Sequence, residues 1–179
     1  MRGLAFLCAV RESYSLVKHL DFGRLTYGMI QGDPQDPKCR QVRSFFDQSE
    51  MDAVYTDTIN YAIWDKLLWN AAFNPLSVAY GGVDTTFLLS SPKILDRVRH
   101  IMAEVCLASE LAGYPLATDL IEKKIALTRK MAPYKTSMCL DYEKKLPLEL
   151  DAILGNMISF CQKNGLDLPY SNELYQQLN

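Results

Sequence analysis

Lys66, Asn70 and Asn74 recur at intervals of four inside the apolar run Ile63-Trp64-Asp65-Lys66-Leu67-Leu68-Trp69-Asn70-Ala71-Ala72-Phe73-Asn74-Pro75. At about 100° per residue they fall on one helix stripe that drifts by some 40° at each step. Eight of the eleven residues from 63 to 73 are apolar and surround the axis, so this helix is expected to be buried on most sides. Its polar residues therefore need a reason. A lysine and two amides along a buried face describe either a pocket for a polar ligand or an internal hydrogen-bond network. A snorkelling lysine beside surface amides is the plainer alternative. Pro75 cannot donate to the Ala71 carbonyl and disfavours helical geometry at Asn74, so a kink there would aim Asn74 into a cavity.

A second polar cluster is Tyr134-Lys135-Thr136-Ser137-Met138, followed by Leu148-Glu149-Leu150-Asp151-Ala152-Ile153-Leu154-Gly155. Carboxylates at Glu149 and Asp151 suit the first turn of a helix, and the helix dipole alone accounts for them. Gly155 is harder to explain, because a mid-helix glycine costs about 1 kcal/mol relative to alanine. It is expected to admit a close neighbour, either another backbone or a ligand. Other chemistries find no residues. Cys8, Cys39, Cys106, Cys139 and Cys161 are odd in number and widely spaced, and the only histidines are His19 and His100. That pattern offers neither a CxxC redox pair nor a sequence-local metal site, so no metal is expected. Both histidines read as structural. No glycine-rich phosphate loop is present: Gly23-Arg24-Leu25-Thr26-Tyr27-Gly28 is neither a GxGxxG nor followed by Lys-Ser/Thr.

The elements that must carry these residues change in character near residue 60. Before it, short β-branched and aromatic runs at 3–11, 15–20, 24–30 and 53–56 predict an antiparallel meander with turns at Glu12-Ser13 and Asp21-Phe22-Gly23. Val42, Phe45 and Phe46 predict one helix between the third and fourth runs. After it, helices are expected over 58–79, 92–112, 118–131 and 148–164, with a short one from Ser171. The 179 residues are 49% hydrophobic and carry 19 Lys+Arg against 21 Asp+Glu, a net charge of -2 with no dense basic run. A globular, soluble protein is implied, with no footprint for nucleic acid or an anionic membrane surface. Arg2 and the apolar stretch from Leu4 to Val10 imitate a signal peptide, but Arg11 and Glu12 stand where a cleavage site would be. The stretch reads as a strand in a cytoplasmic protein, as the scattered thiols also suggest.

Lys66-Leu67-Leu68-Trp69-Asn70-Ala71-Ala72-Phe73-Asn74-Pro75-Leu76 resembles the K-L-x-x-N-x-x-x-N-P-L signature of the ketopantoate reductases (2-dehydropantoate 2-reductases). Thr136-Ser137-Met138, Asp141 and Glu149 through Gly155 resemble that family's S-S-M-x-x-D and E-x-D/E-A-I-x-G segments. The twelve-residue step from Ser to Glu is the same. The tail from Asn164-Gly165 through Pro169 to Leu174-Tyr175 is a third match, and Val17, His19, Phe22-Gly23-Arg24-Leu25 and Gly28 follow the end of the family's nucleotide domain.

The fold this resemblance implies is mainly α: a helical bundle similar to the C-terminal domain of 6-phosphogluconate dehydrogenase, preceded by a small antiparallel β segment left from a Rossmann domain. Residues 1–57 would be the last strands and one helix of an incomplete nucleotide-binding domain, and 58–179 the all-α substrate domain. The implied reaction is NADPH-dependent reduction of ketopantoate to pantoate, for pantothenate and coenzyme A synthesis. Lys66 would then be the general acid and Glu149 its catalytic companion, while Asn70, Asn74 and Ser137 would bind the 2-keto acid substrate. Most of the NADPH site would lie outside this sequence, so the chain alone is expected to be inactive. A homodimer is compatible with this reading. Tyr134 and Asp84 stand where several family members have Asn, and these departures bear on which 2-keto acid is taken. The alternative of another class is a helical module that dimerises or binds a partner and performs no chemistry.

Overall fold

The computed structural model describes the backbone of all 179 residues, and the side chains of all but Cys8, Val10, Leu20, Asp21 and Phe22. The chain divides into two compact units, Met1–Ile63 and Trp64–Asn179.

In the first unit the expected runs become fewer and longer strands. β1 (Arg2–Arg11) pairs antiparallel with β2 (Val17–Gly28) across a turn in which the Glu12 and Ser13 N–H groups donate to the Leu16 carbonyl. The turn expected at Asp21-Phe22-Gly23 does not form. The chain stays extended there, and the register slips between Phe6 and Leu7, leaving Gly23 unopposed at φ +142°. A β-bulge absorbs the glycine, so two expected strands are one. α1 (Pro37–Asp47) starts on Pro37 after Asp36, whose carboxylate accepts the Lys38 N–H at 2.8 Å. β3 (Ala53–Tyr55) then joins β2 in parallel, from Leu25↔Ala53 to Tyr27↔Tyr55, instead of continuing the meander. The intervening helix makes the connection a crossover, which returns the chain in the same direction. Tyr27, packed against Phe46 and Tyr55, is the centre of this unit's small core.

The second unit is helical. α2 (Ile59–Ala79), whose first turn belongs to the first unit, runs unbroken through Pro75, and every residue from 71 to 78 is buried. The expected departure at Pro75 is thus contained: the helix continues because packing on all sides outweighs one missing N–H. α4 (Pro92–Leu111) and α5 (Asp119–Lys130) lie within the expected bounds. α3 (Thr85–Ser90) and α6 (Ser137–Glu143) are additional short helices. Each has a side-chain N-cap: Asp84 accepts the Phe87 N–H at 2.9 Å, and Thr136 accepts the Cys139 N–H at 3.1 Å. The helix expected over 148–164 is composite. A π-helical turn (Asp151–Gly155) leads into α7 (Asn156–Lys163), with the Asn156 N–H reaching back to the Asp151 carbonyl. α8 (Pro169–Leu178) closes the chain. Leu68, Phe73, Val98, Met102, Leu154 and Leu174, all fully buried, join α2, α4, the π turn and α8 around one core. The thiols of Cys39, Cys106, Cys139 and Cys161 are free and buried. The expected free Cys8 lies outside the described side chains.

Candidate functional site

α2 carries a polar face into the helical unit. Lys66 and Asn70 are half-buried, and Asn74 is 2% exposed with its Oδ1 lacking a partner among the described residues. A buried amide oxygen without a donor is costly, and a ligand hydroxyl or ammonium could satisfy it. Burial pushes the Lys66 pKa below the ordinary lysine value, and the charge of Glu149 raises it part of the way back. Glu149 therefore stands within electrostatic reach of Lys66, from the exposed segment that opens the π turn. The two residues are 83 positions apart in the sequence, and the fold brings the charge of Glu149 to bear on the Lys66 end of the stripe.

The segment before α6 reaches the other end. The Ser77 and Thr136 hydroxyls lie 2.8 Å apart, which ties the start of α6 to α2. Ser137, the first residue of α6, is exposed. Beside it the Tyr134 ring packs on Trp69 with centroids 6.2 Å apart, and Trp69 stacks on Phe73 at 4.8 Å while its indole N–H donates to Thr128 at 2.9 Å. Lys135 pairs with Glu143. Asp65, on another face of α2, pairs with Lys124 at 2.8 Å. Ser77 and Thr85 are buried hydroxyls that the sequence did not single out, and Thr136, part of the second polar cluster, carried no role of its own there. For Ser77 a signal was available in the 4-4-3 spacing of 66, 70, 74 and 77, which follows a helix face better than the 4-4 step alone.

Gly155 admits a side chain, neither backbone nor ligand. A Cβ built on it would lie 2.7 Å from Asp151 Oδ1 and 3.1 Å from the Tyr175 ring, and the Tyr175 hydroxyl donates to that Asp151 oxygen at 2.5 Å. α8 is held at its other end by Glu104, 5% exposed, whose oxygens accept the Tyr170 and Ser171 N–H groups at 2.8 and 2.7 Å. His100 accepts a structural role: its Nδ1 is 2.7 Å from the Asp96 carbonyl and its ring stacks on Tyr170.

A cavity of about 240 Å³ between α2 and α7, lined by Trp64, Leu67, Met157 and Phe160 among others, holds no charged side chain. On α2, Trp64 lies well round the helix from Lys66, whereas Leu67 precedes Asn74 by seven residues and falls within about 20° of it. For a dinucleotide the described residues offer no cradle. Gly32, between β2 and α1, stands alone, and the Asp36 carboxylate already caps the N-terminus of α1, where it would repel a pyrophosphate. Among the described residues no group of three or more His, Cys, Asp or Glu is arranged to hold a metal ion, and no helix is long and apolar enough to cross a membrane.

A family model described as the C-terminal part of PanE/ApbA ketopantoate reductase matches residues 58–179. The 2-dehydropantoate 2-reductase of Nostoc sp. is 31% identical over 98% of this chain and 56% of its own length. The crystal structure of 2-dehydropantoate 2-reductase from Methylococcus capsulatus superposes with a TM-score of 0.89 at 37% identity, covering 98% of this chain and 60% of that one. A D-mandelate dehydrogenase solved with NADH shares the fold, with a TM-score of 0.86 at 21% identity over 98% of this chain and 59% of that one. The chain thus spans a little over half the length of such relatives.

Proposed function

The chain belongs to the ketopantoate reductase family through its C-terminal domain, and from that membership we propose that it is the substrate-binding, general-acid half of an NADPH-dependent 2-dehydropantoate 2-reductase. It would reduce ketopantoate to pantoate, a step toward pantothenate and coenzyme A, in the cytoplasm. Residues 1–57 are then the last strands and one helix of the nucleotide-binding domain, and 58–179 the substrate domain. NADPH, when bound, supplies the hydride; the residues here serve the oxygen that receives a proton.

The observation that carries this reading is the half-burial of Lys66 on an apolar helix beside Asn70 and Asn74, which pushes its pKa down while the charge of Glu149 opposes the shift. A ketone gaining a hydride develops negative charge on oxygen, and an ammonium in a partly dehydrated setting stabilises that charge more than water does. Its lowered pKa brings the proton closer to the working pH, which makes transfer easier. The charge of Glu149 favours the protonated form of Lys66, the form that donates. Asn70 orients Lys66 or the substrate, the buried Asn74 Oδ1 accepts a substrate hydroxyl, and Ser137 binds the carboxylate or hydroxyl end. Tyr134, an aromatic ring packed on Trp69, supports a second substrate reading in which another 2-keto acid with an apolar side chain is preferred.

Titration of the chain with ketopantoate, pantoate and phenylglyoxylate, followed by amide NMR, tests this. Shifts should centre on Lys66, Asn70, Ser137 and Glu149. The strongest of the three ligands identifies the substrate class, and shifts confined to other faces of the bundle would sink the assignment.

A further inference from the structure

Ser77 extends the polar stripe of α2. It lies eleven residues beyond Lys66, which at about 100° per residue returns it to within about 20° of the lysine. Ser77 and Thr136 are both at 0% exposure, and the direction of each hydrogen bond between them follows from proton counting. The Ser77 hydroxyl donates to the Asn74 carbonyl at 2.7 Å, which uses its only proton. Thr136 must then donate to Ser77 Oγ across 2.8 Å, while its own oxygen accepts the Cys139 N–H. The bonds run one way, from the first turn of α6 into the backbone of α2 at Asn74. Thr85 adds a second tie: its N–H donates to the Tyr134 carbonyl at 3.0 Å, and its hydroxyl accepts the Tyr134 N–H at 3.4 Å.

We infer that Ser77 and Thr136 are positioning residues whose hydroxyl pair clamps the start of α6, and with it Ser137, onto the helix face that carries Lys66, Asn70 and Asn74. The inference rests on Ser137 being a substrate ligand, as proposed above. α6 is only seven residues long, and a helix that short has little stability of its own. Where its first residue sits is decided by what its cap is tied to. A threonine that only capped α6 would need just an acceptor; the proton it gives to Ser77 is what couples the cap to α2.

The test is a ketopantoate titration of the 179-residue chain by amide NMR, with Ser77→Ala, Thr136→Val, Thr136→Ser, Ser137→Ala and the pair Thr136→Val/Ser137→Ala. Thr136→Val should weaken binding about tenfold, the scale of one buried hydrogen bond. Thr136→Ser keeps the hydroxyl and should bind within about twofold of the original chain. On the Ser137→Ala background, Thr136→Val should add no more than about twofold, because the clamp acts through Ser137. An equal tenfold loss in both backgrounds, or a Thr136→Ser chain as weak as Thr136→Val, overturns the inference. Normal ketopantoate binding by Ser137→Ala, or none by the original chain, would instead remove the substrate assignment. The clamp then stands or falls on amide exchange: Ser77→Ala must speed exchange at Cys139 and Leu140 about tenfold, and unchanged exchange refutes it.

Discussion

An ammonium that loses part of its hydration on a helix of alanines, leucines and aromatics is destabilised relative to its neutral form, and that is the condition of Lys66. The sign of the consequence is opposite to that of a lysine in an ion pair. Its folded-state pKa lies below the unfolded value of 10.5, so the unfolded chain binds more protons between the two. Stability contributed through Lys66 should therefore rise as pH climbs from the lowered value toward 10.5, a slope that Lys66→Met abolishes in denaturant titrations. Glu149→Gln removes the charge that opposes desolvation, so lysine-selective NMR should find the Lys66 pKa lower still. In a reductase that joins these residues to a nucleotide-binding domain, Lys66→Ala should cut kcat about 10²-fold with circular dichroism unchanged. Near-normal turnover would mean that the proton comes from elsewhere.

At the scale of elements, the C-terminal helix is held by two devices of different strength. Glu104→Ala would leave the Tyr170 and Ser171 N–H groups without an acceptor in a buried setting, at a cost of about 3 kcal/mol. Glu104→Gln, which keeps one accepting oxygen, should lose less than half as much in urea melts. Gly155→Ala would push a methyl against the Tyr175 ring and Asp151. It should break the Tyr175 to Asp151 bond, so that Tyr175→Phe adds nothing further on that background. The sequence made some of these elements legible and hid others, for physical reasons. α2 announced itself by an apolar surface all round, and α4 and α5 by punctuation from Pro92, Gly113 and Asp119. α3 and α6, six and seven residues long, are too short for a periodic signal, though their caps Asp84 and Thr136 were in view. The parallel β3 and the bulge at Gly23 depend on pairing partners that local propensity does not encode. Lys66, Asn70 and Asn74 could be grouped from spacing alone. The reach of Glu149 and the Ser77 to Thr136 contact could not, since tertiary packing creates them.

For the molecule as a whole, the absence of a pyrophosphate cradle among the described residues leads to a measurable expectation: calorimetry on this chain should find no micromolar binding of NADPH. β1 is an outer strand of the three-stranded sheet, with Leu7 55% exposed. Edge strands of this kind pair with one another, so light scattering should detect concentration-dependent association that Leu7→Lys suppresses. One further property follows from the stack of Trp69 on Phe73 beneath Tyr134. The chain has two tryptophans, and the indole of Trp69 adjoins Asn70 in sequence while its N–H is bound to Thr128. Trp64→Phe would leave a single emitter beside the polar stripe. Its fluorescence should change in wavelength or intensity when a ligand displaces solvent from Asn70 and Tyr134, so the site contains its own optical reporter, readable on the millisecond scale without a label.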